Sequence, residues 1–473
     1  MEIFIVSVFA LGYLAITLEH TIKIDKLVPA LLMMALAWAG VTFGLDGFTI
    51  WFDAHAGALM DGENGTADFA ALGHEGKLET MESTLLHHLG KTCEILVFLI
   101  GAMTIVEIID HFHGFSTIKA FIKTNKKKIL LWIVAALAFV LSAIIDNLTA
   151  TIVLITILRK LLDSSKDRIW FAGLIVITAN AGGAWSPIGD VTTTMLWMGQ
   201  KVSAEQLFIM LIIPSLVCAL IPTLLASSMS AFKGTFDLPK EAGSTNPRGP
   251  LMLYLGLGMI IFVPLFKTVT HLPPYIGMML SLGVVALFAE SISAKQFKMS
   301  YLGVVDKEHQ PDYVAAPDPA PSPEGEAHHE SPTFRALTKI EMPSILFFLG
   351  ILMTVAALES LGLVFNFGQS VQASMHDDVF VMLLGAGSAI IDNVPLVAAS
   401  MGMFQEAMDD HIWHFIAYAA GTGGSMLIIG SAAGVVAMGM EKISFFWYLK
   451  NISWLALVGY LAGAGAYLLI NPV

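Results

Sequence analysis

Two six-residue segments of this chain are identical, Ser142-Ala143-Ile144-Ile145-Asp146-Asn147 and Ser388-Ala389-Ile390-Ile391-Asp392-Asn393. Each sets an acid and an amide in the middle of a long apolar stretch, residues 129–162 and 379–408. An ionised Asp at the centre of a membrane helix costs about 2.5–3.5 kcal/mol on insertion scales. Such an acid needs a proton, water or a bound cation. Asp and Asn also cap helices. Ser or Asn would cap as well, so capping alone does not account for an acid at both places.

A second group of oxygen-bearing residues follows the first. The run from Thr178 to Thr194 contains Asn180, Gly182-Gly183, Pro187, Gly189, Asp190, Thr192 and Thr193. Its glycines and proline should break a helix in mid-membrane. A break frees backbone carbonyls, and Asn180, Asp190, Thr192 and Thr193 add side-chain oxygens. Hard cations such as Na+ suit oxygen ligands. A kinked helix with Gly kept for packing is the plainer alternative. The matching run from Thr422 keeps the glycines as Gly423-Gly424, then Ser425, but carries Ser431 where the first run has Asp190. The cation is therefore expected in the first half, at Asp146, Asn147, Asn180 and Asp190. Asp392, Asn393, Ser425 and Ser431 are the expected contributors from the second half.

The elements that hold these residues are membrane helices. The chain has 473 residues, 56% hydrophobic and 13% charged, with mean hydropathy +0.74. Soluble domains carry roughly 25% charged residues. Spans are expected near 2–18, 28–45, 93–110, 169–200, 206–230, 250–270, 273–290, 343–366, 412–441 and 445–470. The first lacks a basic leader and a small-residue cleavage site, so it reads as a span and not as a signal peptide. The stretches 129–162 and 379–408 are too long for one crossing and are interrupted at Asp-Asn. They read as re-entrant hairpins, with two tightly connected crossings each as the alternative. Cys93 and Cys218 both sit in apolar runs and point to neither disulfide nor metal cluster. The net charge of −13 arises in loops and argues against nucleic-acid binding.

Lys and Arg orient the chain. With the N-terminus outside, 21 of the 25 basic residues fall in inner loops and 4 in outer loops. The positive-inside rule thus gives N-out and C-out. By the same count no Lys or Arg remains for the membrane interior, so an acid there has no fixed basic partner. Residues 46–91 form an acidic outer segment, and 291–342 a Pro- and Ala-rich inner linker. The stretch Phe112–Lys128 is a candidate interfacial helix.

The identical segments belong to a longer repeat. They are offset by 246, and flanking matches follow: Met103-Thr104 with Met353-Thr354, and Gly182-Gly183 with Gly423-Gly424. The repeats span 1–235 and 236–473, each with five crossings and one hairpin. An odd number of crossings inverts the second repeat, an architecture that places substrate at discontinuous helices near the midplane. Glu94, Glu107, Glu341 and Glu359 lie near span ends, Glu290 and Glu441 read as interfacial, and His87, His88, His111 and His113 read as surface histidines. No Walker loop, H-E-x-x-H or G-x-S-x-G is present, so neither an enzyme nor a cofactor is expected.

At the paired Asp-Asn tips, the run ANAGGAWSPIGD and the two-half layout, the chain resembles the ion transporter superfamily, and within it the NhaD-type sodium/proton antiporters. Arsenite and organic-anion permeases of that superfamily share the Gly-Gly to Pro-x-Gly-Asp region. Sodium/dicarboxylate members typically carry Ser-Asn-Thr at the tips, where this chain has Asp146-Asn147-Leu148 and Asp392-Asn393-Val394. Two negative charges favour a cation over an anion. The resemblance implies Na+ or Li+ exchanged for H+ across a bacterial inner membrane. It also implies a hairpin-and-broken-helix unit moving against a scaffold, and a homodimer in lipid. A cation-coupled organic-anion or arsenite permease is the alternative.

Overall fold

The computed structural model describes the chain except residues 54–57, 61, 63–67, 120–121, 237–246, 303–330, 391 and 472–473. The architecture is all-α, with one two-stranded ribbon pairing Phe52–Asp53 with Ala58–Leu59. Among the described residues, eight helices are long and apolar enough to cross a membrane.

The chain packs as two bodies. One contains Leu27–Gly44, His74–His111, Gly249–Thr270, the helix starting at Pro274, and Met342–Ser360. The other contains Ala204–Ser228, Ser453–Ile470 and the helices around the two Asp-Asn pairs and the two Gly-Gly runs. The interrupted elements belong to the second body.

Both interrupted stretches fold as helix–Asp–helix. Lys127–Ile145 leads to Asp146 and then Asn147–Leu161. Asp377–Gly387 leads through Asp392 to Asn393–Met403. In each, contacts close the open end. Lys127 Nζ stands 2.7 Å from Asp167 Oδ2, tying the start of the first pair to the helix that follows it. His411 Nε2 stands 2.9 Å from Asp378 Oδ1 in the second. Entry and exit thus lie together, in a helical hairpin whose first arm, Lys127–Ile145, is by itself long enough to cross; re-entrant hairpins and tightly connected pairs of crossings share this geometry.

The Gly-Gly runs do break their helices. Ser165–Gly183 ends, and Val191–Met198 resumes after Asp190 caps it by accepting the Thr192 N–H. His411–Gly423 ends likewise, and Ala432–Glu441 resumes after Ser431, whose hydroxyl accepts the Gly434 N–H. The glycines do more than break. A Cβ on Gly182 would collide with the Phe139 carbonyl, and one on Gly423 with the Gly385 carbonyl. Each broken helix therefore lies directly on the backbone of its hairpin. The serine that opens each SAIIDN segment strengthens that contact. Ser142 Oγ donates to Ala179 O (2.6 Å) and Ser388 Oγ to Ala420 O (2.9 Å).

Several expectations need correction. The span expected at 93–110 is the end of a 38-residue helix starting at His74, so much of the outer segment is helical and His87 and His88 are helical too. The span 343–366 stops at Ser360, and Leu363–Ser374 is a separate helix after Gly362 at φ +69°. Most of the expected linker lies outside the described residues. Its last part forms the helix Pro332–Lys339, started by Ser331 as cap and a proline in the first turn. The stretch Phe112–Lys128 contains, among its described residues, the short helix Ser116–Lys119 and the first residues of Lys127–Ile145. Glu441, at the end of its helix, is enclosed by protein: it is 5% exposed and accepts from Arg159 Nε (2.7 Å) and Arg168 Nε (2.9 Å). That cluster ties the second broken helix to the first hairpin and the first broken helix.

Candidate functional site

Four segments converge on Asp190. The first hairpin contributes Asn147, whose Nδ2 donates to Asp190 Oδ2 (2.7 Å) and to Asn180 Oδ1 (2.9 Å). The first broken helix contributes Asn180 and Asp190 from either side of its break. Thr192 donates to Asp190 Oδ1 twice, from its N–H (2.8 Å) and its hydroxyl (2.7 Å). The second hairpin contributes Asn393, with Nδ2 3.4 Å from both carboxylate oxygens. The second broken helix contributes Ser431, whose hydroxyl accepts from Asn180 Nδ2 (3.0 Å). All are buried; Asp190 is 3% exposed and Asn180 fully enclosed.

The remaining expected residues lie off this cluster. Asp146 turns to its own helix: Oδ1 accepts the Thr149 N–H (2.8 Å) and Oδ2 the Thr149 hydroxyl (2.9 Å). It is still within electrostatic range of Asp190. Thr193 Oγ1 donates to the Asp190 carbonyl (2.9 Å) and shapes the break. Ser425 Oγ donates to Thr422 O (2.7 Å), while its carbonyl accepts from Tyr448 OH. Gly183 and Gly424 pack on the carbonyls of Gly189 and Gly430 across their breaks.

Asp392 overturns the charge count. Lys26 Nζ stands 2.9 Å from Asp392 Oδ2, so this acid does have a fixed basic partner. By sequence Lys26 is a loop residue, because it precedes the helix Leu27–Gly44. A lysine's long stem lets its ammonium reach well beyond its backbone position, which a tally of loop residues ignores. Among the described residues, Asp146 and Asp190 have no ion pair.

Two cavities flank the second hairpin. One of about 50 Å³ touches Asp392, Lys26, Tyr13 and Ser431 at its tip. The other, about 390 Å³, is lined by His87, His88, Glu94, Lys201 and Glu359 near Met401. Glu94 and Glu359, near span ends by sequence, thus face a shared cavity.

The cluster offers one carboxylate, three amides from Asn147, Asn180 and Asn393, and two hydroxyls from Thr192 and Ser431. That is an oxygen-rich set with a single formal negative charge. Among the described residues no group of three or more His, Cys, Asp or Glu could hold a metal ion.

Comparisons with known proteins show what the chain as a whole is similar to. The family model described as "Citrate transporter" matches residues 13–301. "Sodium/proton antiporter 1" of Arabidopsis thaliana is 38% identical, covering 98% of this chain and 71% of that protein. "Sodium/proton antiporter 2" of the same plant is 36% identical, covering 98% of both. "Na(+)/H(+) antiporter NhaD" of Alkalimonas amylolytica is 30% identical, over 83% of this chain and 80% of that one. The solved structure of the YdaH transporter from Alcanivorax borkumensis superposes with a TM-score of 0.56 at 13% identity, covering 93% of this chain and 97% of that one, a likeness of fold.

Proposed function

We infer that this chain, which belongs to the NhaD-type sodium/proton antiporter family, exchanges sodium for protons at the Asp190 cluster. The observation that carries this reading is one buried carboxylate, Asp190, that accepts from Asn147, Thr192 and Asn393, is linked through Asn147 to Asn180 and Ser431, and has no basic partner among the described residues. An intramembrane acid of that kind is held neutral by a proton or by a bound cation. The two compete for the same oxygens, so loading one expels the other. One negative charge surrounded by neutral oxygens suits a monovalent hard cation, Na+ or Li+, better than a divalent one. With the ion present, Asn147 and Asn180 turn their amide oxygens inward. Asp146, close by and without an ion pair among the described residues, is the second carboxyl of the proton path.

The two Asp-Asn hairpins and two broken helices act together as the moving unit, as two inverted repeats. The body holding Leu27–Gly44 and Met342–Ser360 is the scaffold. A homodimer in a bacterial inner membrane, with both termini outside, completes the reading; the uneven Lys and Arg distribution supports the orientation. Purified protein in proteoliposomes, challenged with Na+, Li+ or K+ across pH, tests the exchange. Near-normal exchange in both Asp190→Asn and Asp146→Asn would refute it.

A second reading, cation-coupled transport of an organic anion, draws on the "Citrate transporter" family model and on Lys26 near the site. Asp392 already neutralises that ammonium, which leaves it no free positive charge for a carboxylate. Labelled citrate uptake that depends on this chain would favour it.

A further inference from the structure

The two hairpin tips carry the same acid, yet among the described residues only that of the second is paired with a cation of the protein. Lys26 Nζ lies 2.9 Å from Asp392 Oδ2, and the pair is mostly enclosed, with side chains 28% and 17% exposed. The ammonium also lies over the ring of Phe347, 4.5 Å from its centroid. Phe347 belongs to Met342–Ser360 of the scaffold and is fully buried. Glu19 and Glu341 are further electrostatic neighbours of Lys26, but its hydrogen bond goes to Asp392. The cavity at this tip reaches both Asp392 and Ser431. The lysine nitrogen therefore stands in the space where a mobile cation would otherwise neutralise the second hairpin.

The sequence shows the same asymmetry independently. At the repeat offset of 246, the position matching Lys26 is Leu272, and the neighbouring residues His271, Pro273 and Pro274 include no Lys or Arg. Asp146 has no ion pair among the described residues, and its oxygens are taken by Thr149. The second broken helix also lacks a carboxylate at its break, having Ser431 where the first has Asp190. The half with the weaker cation site is thus the half supplied with a lysine.

We propose that Lys26 is a tethered counter-cation that occupies the second half-site, so that the chain carries a single exchangeable cation, and that this residue sets how many Na+ bind per chain. The inference rests on the sodium/proton reading above. An ammonium at the start of a scaffold helix cannot leave with the cargo, so in this structure Asp392 is neutralised by the protein and not by an ion from solution. Removing the ammonium should make Asp392 seek a cation from solution, because an unpaired acid at this depth is costly.

Equilibrium binding of 22Na+ to the purified full chain at alkaline pH tests this. In Lys26→Met the stoichiometry should rise from about one Na+ per chain to about two, as the freed carboxylate takes a second ion. Lys26→Arg should retain the wild-type count. Lys26→Met/Asp392→Asn should return it to about one, since the pair is removed as a unit. This double variant leaves neither partner uncompensated and so remains informative where the single variant fails to fold. Wild-type stoichiometry and affinity in folded Lys26→Met would overturn the proposal, as would loss of Na+ binding from the folded double variant. A wild-type chain that binds no Na+ would instead overturn the exchange reading, and this inference with it.

Discussion

The tips at Asp146 and Asp392 have the same six residues and different physics. Asp146 sits at φ +74° and ψ 160°, a region that non-glycine residues rarely adopt. Such a backbone costs about 1–3 kcal/mol and persists where surrounding structure holds it. Thr149 holds it here, through both its N–H and its hydroxyl. Asp392 has an ordinary extended backbone at φ −48° and ψ 137°, caps more weakly at 3.4 Å, and spends its charge on Lys26. The amides that follow the two acids behave alike: Asn147 and Asn393 both point at Asp190. Identical sequence thus delivers two equivalent amides to one site and two acids to different tasks.

What separates the tips lies outside the six shared residues. One difference is the scaffold lysine. The other is the residue three positions after each acid, Thr149 in the first half and Pro395 in the second. Proline has neither a hydroxyl nor an N–H to offer an acid three residues back, so the second tip lacks the clamp that holds the first.

The largest effect expected from this comparison is at the acid on which both amides converge. Asp190→Asn removes the carboxylate of the cluster and should lower Na+-driven proton movement by about 100-fold or more, since contacts to a charged group contribute about 1.5–3 kcal/mol each. Proteoliposome exchange at matched protein density measures it.

Asn147→Ala comes next. It removes the amide nearest Asp190 and should raise the apparent KM for Na+ by about tenfold or more, on the same scale for a bond to a charged group. Asn393→Ala, with its longer 3.4 Å contacts, should do so less. Equal effects would mean that the two hairpins approach the ion equally closely.

The tips themselves separate in stability. Asp392→Gly strands the Lys26 ammonium and should destabilise the fold by about 1–3 kcal/mol, less than breaking a fully buried pair because both side chains keep some solvent. Asp146→Gly loses a cap but relieves a positive φ that glycine adopts freely, so the two contributions, each about 1 kcal/mol, largely offset. Thermal unfolding in detergent should show the lower Tm for Asp392→Gly. The reverse order would contradict the contrast drawn between the tips.

The smallest expected effect is at Ser431→Ala. It deletes one neutral acceptor for Asn180 and should change the apparent KM by only a few-fold, in line with about 0.5–1.5 kcal/mol for a neutral hydrogen bond.

Much of this arrangement is legible in the sequence. Asp-Asn pairs inside apolar stretches mark the hairpin tips, and Gly-Gly followed by Pro and Gly marks the break before Asp190. These signals are local: a residue type conflicts with its immediate surroundings. What is not legible depends on contacts distant in sequence. Asn180 meets Ser431 across 251 positions, and Lys26 meets Asp392 across 366. Arg159 and Arg168 meet Glu441 in the same way. The serines of SAIIDN are visible in the sequence, but their task depends on carbonyl partners, Ala179 and Ala420, that folding brings to them. The start of the helix at His74 escapes a hydropathy reading because its first turns are polar. They are held instead by contacts such as Lys77 Nζ donating to the Phe48 carbonyl at 2.7 Å.

The decisive measurement is 22Na+ binding to purified wild-type chain and to Asp190→Asn, with thermal unfolding as the check that both are folded. Saturable binding that protons displace is expected in the wild type, and its loss in the variant. Wild-type affinity for Na+ in folded Asp190→Asn would contradict the assignment of the exchange site to Asp190.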